Sequence, residues 1–358
     1  MRISQLFILF AVVYISSTVI LTSCNSNLLS NRSSKVALHE PSVVASPTQS
    51  VVASTTTFAR KTEITVTRPM LDILIIADDS SSMDKENAEL ATRMGGFMAA
   101  LDVSSIDWQM CITTTDLHYF NGKSVVWSGT STKILTPSTP NRAQIFGQTI
   151  SDLTWRASTE DDPRSDEQGI YSLNMSIRQT GSESCHRPSA DLGVILISDE
   201  DERSVGGIYD LSSLQFQPME ALNQPTSVIP SLSGLFPNKK LIFNAIVVKD
   251  HDCEVIQDAQ GTPSFIGLNY IRLAQETGGE VGSICDTNYT TALTKFLTAI
   301  KRKMTTTRLI CSPVDGVNVT YSPSTTPVHE IQGNQVVFSA FPPNGTKVTF
   351  EYRCPGGS

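Results

Sequence analysis

Charged side chains are scarce in this chain, at 17% of its 358 residues, and several enzyme motifs are missing. Asp and Glu (35) outnumber Lys and Arg (27), and the net charge of -8 argues against a broad nucleic-acid-binding surface. The sequence contains no Gly-x-Ser-x-Gly elbow and no His-Glu-x-x-His motif. Lys123 and Ser124 follow a glycine, but Leu117 stands where a phosphate-binding loop needs its first glycine. None of the five histidines has a motif context that would make it a general base, so we do not expect an enzyme.

The remaining composition is that of a globular protein. Hydrophobic residues make up 40% of the chain, whereas the 21 glycines and 18 prolines are ordinary numbers. These values exclude a collagen-like or fully disordered chain and leave enough apolar side chains for a large core. The length predicts about two domains.

The first residues are typical of an export signal. Arg2 precedes a mostly apolar stretch over residues 6–21, and small residues lead to Cys24. Residues 21–24, Leu-Thr-Ser-Cys, resemble the bacterial lipobox, which predicts a lipoprotein signal peptide over residues 1–23 and lipidation of Cys24. An uncleaved signal anchor and an ordinary secretory peptide are the alternatives. Asn25 is not the Asp associated with inner-membrane retention, so we expect a cell-envelope protein that is lipid-anchored in the outer membrane.

A polar segment follows the predicted lipidation site. Residues 24–62 are rich in Ser, Thr and Asn and contain too few apolar side chains to offset the entropy lost on ordering. We therefore expect a flexible tether over this range.

The six cysteines after Cys24 form an even set behind an export signal, which indicates three disulfides in an oxidising compartment. The sequence does not fix their connectivity. Proximity within each predicted module favours three pairs, which are Cys253–Cys285, Cys311–Cys354 and Cys111–Cys185. A zinc site at Cys185 and His186, or at His251 and Cys253, is a weaker alternative because the chain has no Cys-x-x-Cys pair.

Strand and helix patterns alternate over residues 63–305. Apolar runs of the kind that form strands buried on both faces occur at residues 71–77, 192–197 and 241–248, with shorter strands expected at 108–115 and 281–285. Helical spacing occurs at residues 83–101, 143–153, 167–177, 265–276 and 289–304. This alternation predicts an α/β fold with a doubly wound, mainly parallel sheet.

The last residues, 306–358, have a different pattern. Short β-rich runs occur at residues 318–321, 335–338 and 347–352, with a Pro-Pro-Asn-Gly turn signal between the last two. We expect a small C-terminal β appendage.

Acidic and hydroxyl residues follow two of the predicted buried strands. Asp78, Ser80 and Ser82 stand in the pattern Asp-x-Ser-x-Ser directly after the first strand, and Asp199 follows the strand that ends near residue 197. Ligands of open α/β sheets bind beyond the carboxyl ends of the strands. Hard oxygen atoms in such a place suit Mg²⁺, Mn²⁺ or Ca²⁺.

These residues resemble the metal-ion-dependent adhesion site of the von Willebrand factor A domain family. The resemblance covers residues 70–305 and includes the apolar strand before Asp78, the Ser198-Asp199 strand end, and residues 273–279, which look like the helix-to-strand turn of bacterial members. It implies a Rossmann-like fold, a divalent cation (Mg²⁺ first, with Mn²⁺ or Ca²⁺ as alternatives) and binding of another protein through an acidic side chain.

The resemblance also assigns roles to individual residues. Ser80 and Ser82 would ligate the metal directly, whereas Asp78 and Asp199 would act mostly through water. The family's threonine ligand has no counterpart in the loop over residues 162–169, so Ser165, Asp166 or Glu167 would have to replace it. Thr113, Thr114 and Thr115, with Asp116, are a less favoured source of that ligand.

Such a replacement would change the chemistry. If Asp166 or Glu167 supplies a carboxylate from within the chain, the metal is already more neutralised and attracts an external carboxylate less strongly. The resemblance nevertheless favours adhesion to an unidentified protein partner as the function. The alternatives are an envelope structural or assembly factor whose metal site is only structural and, less favoured, a metal-assisted hydrolase. Residues 200–202 and 160–162 are expected to be solvated acidic loops.

Overall fold

The computed structural model of the chain describes residues 57–157, 167–181, 184–204, 206–207, 209–210, 212–213, 215–261, 263–324 and 328–356. The predicted signal peptide over residues 1–23, Cys24, most of the expected tether and Asp166 lie outside these ranges. Among the described residues, no helix combines the length and the apolar character needed to cross a membrane.

A five-stranded parallel sheet forms the centre of the molecule, so the fold is mixed α/β as the sequence predicts. Its spatial order is β3-β2-β4-β7-β8. The strands are β2 (Met70–Ala77), β3 (Asp107–Thr114), β4 (Asp191–Ser198), β7 (Leu241–Val247) and β8 (Val281–Ser283). The three central strands are mostly apolar, with Asp72 in β2 and Asn244 in β7 as exceptions, and are buried almost throughout, because helices cover both faces of the sheet.

Seven helices are seen among the described residues. They are α1 (Asp84–Asp102), α2 (Arg142–Ala157), α3 (Gly169–Ser176), α4 (Pro225–Leu235), α5 (His251–Asp258), α6 (Leu268–Thr277) and α7 (Thr290–Met304). Helices α4 and α5 have no counterpart in the sequence prediction. Pro225 and Pro230 read as helix breakers, yet Pro225 occupies the first turn of α4, where a missing N–H costs nothing.

The alternation of side chains along β2 divides the core into two layers. Ile73 and Ile75 point to a layer that also contains buried residues of α1, α2 and α7. Leu74 and Ile76 point to the opposite layer, with buried residues of α3, α4 and α6. This two-sided packing holds the carboxyl ends of β2 and β4 next to each other, with Ala77 opposite Ile197.

The C-terminal β-rich region forms two antiparallel sheets around a core of its own. One sheet has the order β1-β13-β10 and the other β11-β12-β9. The strands are β1 (Thr57–Thr65), β9 (Thr306–Arg308), β10 (Val317–Ser322), β11 (His329–Gln332), β12 (Gln335–Phe338) and β13 (Lys347–Pro355). Val336, Val348 and Phe350 are fully buried in their core.

Strand β1 corrects the expected end of the tether at residue 62. Residues 57–65 pair along their whole length with β13, from Thr57 opposite Pro355 to Thr65 opposite Lys347. The strand has no fully buried side chain, so its composition resembles that of a tether. Its order comes from backbone pairing with a partner almost 300 residues away, which local sequence does not reveal.

Three disulfides join Cys111 to Cys185, Cys253 to Cys285 and Cys311 to Cys354, which are the pairs that proximity favoured. The first two lie in the α/β region and the third in the β-rich region. Because Cys185 and Cys253 are oxidised, neither offers a thiolate for the zinc sites considered as alternatives.

A short strand pair extends the segment between β4 and α4. Strands β5 (Tyr209–Asp210) and β6 (Gln215–Phe216) pair antiparallel. This segment follows the acidic end of β4.

Candidate metal centre

The carboxyl edge of the sheet, defined here by the residues that follow β2 and β4, gathers the predicted site residues. Strand β2 ends at Ala77, and Asp78 follows it; a 3-10 turn at Ser81–Met83 then leads into α1. Strand β4 ends at Ser198, and Asp199 follows it. The backbone N–H of Asp78 donates to the carbonyl of Ile197 at 3.0 Å, which fixes the two acidic strand ends side by side.

Hydroxyl and amide groups hold the carboxylate of Asp78. Its Oδ1 accepts from the backbone N–H of Ser80 at 2.9 Å, and its Oδ2 accepts from Ser198 Oγ at 2.7 Å. Its backbone carbonyl accepts from Asn87 Nδ2 of α1 at 2.7 Å. Asp78 is fully buried, so its position is set by the strand, the turn and the helix together.

Ser80, Ser82 and Asp199 complete the group. The Oγ atoms of Ser80 and Ser82 are hydrogen-bonded to each other at 2.9 Å. A hydrogen bond from Ser82 lowers the pKa of Asp199 and the charge of Asp78 raises it, so these three side chains are neighbours. Asp199 Oδ1 is buried and has no hydrogen-bond partner among the described residues.

The electrostatics of this edge are those of crowded acids. Burial and the nearby charge of Asp78 raise the pKa of Asp199 to about 8. Burial, then the charges of Asp78 and Asp116, raise the pKa of Asp79 to about 8. Burial also raises the pKa of Asp78. Among the described residues, none of Asp78, Asp79 and Asp199 forms an ion pair with Lys or Arg.

This donor set suits a hard divalent cation. Such an ion prefers oxygen ligands, and two hydroxyls and two carboxylates converge here from Ser80, Ser82, Asp78 and Asp199. A positive charge would also give Asp199 Oδ1 an interaction partner. It would oppose the repulsion between Asp78 and Asp199 that contributes to the raised pKa of Asp199. No three His, Cys, Asp or Glu side chains within the described part of the chain are arranged to hold a metal by themselves, so the serine hydroxyls are essential to the set.

Glu167 also faces the carboxyl edge, whereas Ser165 and Asp166 lie outside the described residues. Glu167 is buried, and burial followed by the charges of Asp78 and Glu200 raises its pKa well above the usual value. Its backbone carbonyl accepts from the N–H of Arg203 at 2.5 Å. An internal carboxylate is therefore close to the candidate metal ligands.

The end of β3 borders the same edge. A hydrogen bond from the side chain of Thr114 opposes the rise in the pKa of Asp79. Thr113 Oγ1 is buried and has no hydrogen-bond partner among the described residues. All three threonines of the less favoured segment, Thr113, Thr114 and Thr115, are thus buried, and among the described residues Thr114 interacts with a carboxylate of the edge.

The acidic run after Asp199 is not the solvated loop that the sequence predicted. Glu202 is only 1% exposed, and its carboxylate accepts from the backbone N–H groups of Ile170 (2.6 Å) and Tyr171 (3.2 Å) in the first turn of α3. Asp201 likewise accepts from the N–H of Asn269 in α6 at 2.9 Å. Both carboxylates satisfy otherwise unpaired amides of helix N-termini, where negative charge is favourable.

Sequence reasoning could not find these two caps. The sequence shows four consecutive acidic residues at 199–202, and this pattern does not indicate which side chain caps which helix. Residues 160–162, the other expected acidic loop, lie outside the described part of the chain. Arg203, next to Glu202, is buried 5.1 Å from the ring of Tyr171 and pairs with Glu220.

Comparisons with known proteins include distant structural neighbours. No protein-family model matches the sequence, and no curated protein is significantly similar to it. The open conformation of the pilus adhesin SpaC from Lactobacillus rhamnosus GG aligns with a TM-score of 0.36 and 12% identity, over 83% of this chain and 40% of that one. Proximal thread matrix protein 1 from the mussel byssus aligns with a TM-score of 0.34 and 13% identity, over 70% and 51%. The chain thus spans about half or less of these proteins.

Proposed function

We propose that this protein is an exported, lipid-anchored binding protein whose α/β region is a doubly wound, Rossmann-like von Willebrand factor A domain with a divalent-cation site. One observation carries the proposal. Two serine hydroxyls and two buried carboxylates, none paired with Lys or Arg among the described residues, meet at the carboxyl edge of a parallel sheet. Burying acids without cations is costly, which favours a role in binding over a role in stability.

The proposed ion is Mg²⁺, with Mn²⁺ or Ca²⁺ as alternatives. Ser80, Ser82, Asp78 and Asp199 would hold it, and the bound ion would supply a positive centre that attracts a carboxylate of a partner protein. Ser198 and Asn87 would keep Asp78 in place through the hydrogen bonds described above.

Thermal unfolding with and without metal tests the ion site. At a Mg²⁺ concentration about 100 times the Kd, the wild-type protein should gain about 2.7 kcal/mol over protein in chelator. Ser80→Ala and Ser82→Ala should lose most of that gain. Ser81→Ala is the matched control, because Ser81 lies between them but is exposed. An equal gain in all four proteins would contradict the site.

Affinity capture from envelope extracts, in Mg²⁺ and in chelator, tests adhesion. A partner retained only in Mg²⁺, and lost with Ser80→Ala, supports capture through the ion. Metal binding without any Mg²⁺-dependent partner would favour the structural or assembly factor.

The structural or assembly factor is retained as the second candidate function because Glu167 is buried beside the site. A carboxylate from within the chain would neutralise part of the ion's charge and weaken capture of an external one. Glu167→Gln separates the two cases, since it should strengthen partner capture if Glu167 competes with the partner and leave it unchanged otherwise.

Lipidation at Cys24 remains part of the proposal, with the outer membrane as the expected location. Metabolic labelling with a fatty-acid analogue should mark the wild-type chain and not Cys24→Ala. A hydrolase at the same edge is the least favoured function, and turnover of ester or phosphate substrates that Asp199→Ala abolishes would restore it.

A further inference from the structure

A pocket lies between α1, α5 and the loop that joins β8 to α7, and its lining includes none of the four candidate metal ligands. Its volume is about 340 Å³, within the usual range for ligand sites. Glu86 and Glu89 line it from α1, Ile256 and Gln257 from α5, and Asp286 from the loop.

The wall of this pocket contains an incompletely satisfied carboxylate. Glu86 is only 3% exposed, and its Oε1 accepts a long hydrogen bond of 3.3 Å from Gln257 Nε2. Its Oε2 is buried and has no hydrogen-bond partner among the described residues. The nearest ammonium group, that of Lys85, stands 3.9 Å from Oε1 on a side chain that is 77% exposed. A buried acceptor without a donor is costly, so this oxygen is suited to receive one from a ligand.

The surroundings of Glu86 are acidic. Burial, then the charges of Glu86, Glu89 and Asp286, raise the pKa of Tyr289, which places all three carboxylates around one buried ring. The hydroxyl of Tyr289 donates to the carbonyl of Ile284 at 2.9 Å and so does not serve the carboxylates. The pocket is lined by three acids and one base. Glu89 is paired with Arg93 at 2.8 Å, so the negative charge that favours a cation lies at Glu86 and Asp286.

Apolar surface adjoins these acids. Ile256 lines the pocket and is 54% exposed, which is high for an isoleucine. A cation carried on an aliphatic stem matches both the charge and the apolar lining.

We propose that this pocket binds an alkylammonium or guanidinium group on an aliphatic stem, with the charged head at Glu86 and the stem on Ile256. The ligand could be a lysine or arginine side chain of another protein or a free diamine, which share this chemistry. The proposal does not depend on the metal site, because none of its residues belongs to the candidate ligand set.

Methyl NMR of Ile256 and Ile284 in the full chain tests this site. The probes are Nα-acetyl-lysine methylamide, Nα-acetyl-arginine methylamide, cadaverine and the neutral Nα-acetyl-norleucine methylamide. The lysine or arginine probe should shift both methyl signals at millimolar concentration, and norleucine should not. Stronger binding of cadaverine than of the amino-acid probes would identify a free diamine as the ligand class.

Variants that remove one negative charge test whether Glu86 binds the charged head of the ligand. Glu86→Gln should weaken binding of the lysine probe about tenfold, the loss expected for a hydrogen bond to a charged group. Glu276→Gln is the matched control, because it makes the same charge change on α6 and should have no effect. If Glu86→Gln does not fold, Asp286→Asn at an exposed position should weaken binding by a smaller factor.

Three results with the four organic probes would overturn the proposal. These are equal binding of the norleucine and lysine probes, unchanged affinity in the folded variants, and the absence of any methyl shift with all four probes. Displacement of the lysine probe by Ca²⁺ or Mg²⁺ at equal concentration would instead make the pocket a metal site and would also refute it.

Discussion

At the amino end of the parallel sheet, Asp72 is as buried as Asp78 is at the carboxyl edge, but its surroundings differ. Asp72 Oδ1 accepts from Arg187 Nε at 2.7 Å, and Oδ2 accepts from the backbone N–H of Arg187 at 2.6 Å. The ammonium of Lys239 lies 3.7 Å from Oδ2. Burial raises the pKa of Asp72, and both cations oppose that rise.

The carboxyl edge uses the opposite arrangement. The charge of Asp78 adds to the effect of burial on Asp79 and Asp199 instead of opposing it. The two ends of one sheet thus show that burial alone does not mark a functional acid. What distinguishes the carboxyl edge is buried acids without cations, in the place where open α/β sheets bind ligands.

Removing the cation at the amino end should have the largest effect. Lys239 donates to the carbonyls of Arg187 (2.8 Å) and Ala190 (2.5 Å) in addition to facing Asp72. Lys239→Met should lower the free energy of unfolding by about 3–5 kcal/mol in urea denaturation, because it leaves two carbonyls without their donor and removes one of the two cations that face Asp72. Lys295→Met, at an exposed position on α7, should cost less than about 0.5 kcal/mol. Equal stability of the two variants would remove the contrast between the ends.

Lowering the pH should destabilise the protein at the same amino end of the sheet, through His186. Burial, and then the positive charge of Lys239, lowers the pKa of His186 from 6.5 to about 4. In the unfolded chain His186 therefore binds a proton below pH 6.5, whereas in the folded protein it stays neutral down to about pH 4. Stability contributed by neutral His186 is complete above pH 6.5 and should fall by up to about 3 kcal/mol as the pH approaches 4.

His186→Gln removes this titration. The free energy of unfolding, measured by urea denaturation at several pH values, should fall less steeply with acidification in the variant than in the wild type. Parallel curves would show that His186 is not held neutral.

Neutralising one acid at the carboxyl edge should raise the free energy of unfolding instead of lowering it. Asp79 must take up a proton on folding at neutral pH, because its pKa is about 8. In chelator, Asp79→Asn should therefore raise the free energy of unfolding by about 1–3 kcal/mol. The same substitution at Asp72 should destabilise the protein, since it removes the partner of Arg187 and Lys239. Destabilisation by both variants would mean that the two ends are equivalent.

The smallest effect concerns the hydroxyl that holds Asp78. Ser198→Ala removes a buried hydrogen bond to a carboxylate and should cost about 1.5 kcal/mol. Ser172→Ala removes a buried hydrogen bond of the same length, 2.7 Å, to the neutral carbonyl of Thr114 and should cost about 1 kcal/mol. A cost at Ser172 that exceeds the cost at Ser198, measured by denaturation in chelator, would show that Asp78 gains nothing from its hydroxyl partner.

Much of the central fold could be predicted from local sequence. The apolar run at residues 192–197 became β4, Asp191–Ser198, and the helical spacing at 289–304 became α7, Thr290–Met304. A buried strand needs a continuous apolar run and an amphipathic helix needs a periodic one, so both leave a local signal. Helix α5 left no such signal, because only Cys253 and Gln257 of its eight residues are buried.

The functional residues also fall into those that the sequence predicted and those that it did not. Asp78 and Asp199 are recognisable because each directly follows an apolar strand, and Ser80 and Ser82 because they stand in the Asp-x-Ser-x-Ser pattern after Asp78. Parallel strands bring such ends together. Glu202 and Glu86 are ordinary acids in the sequence, and only their surroundings set them apart.

Residue types at short spacing were enough to predict the central strands β2, β4 and β7, helix α7, and the strand ends that carry Asp78 and Asp199. They also predict an export signal. The tertiary structure decided which buried acids meet a cation, that β1 pairs with β13, and that Glu86 lines a pocket. The physical reason is distance. Asp72 meets Arg187, and Thr57 meets Pro355, only after the chain has folded, and the environment of a charge depends on every segment that packs against it.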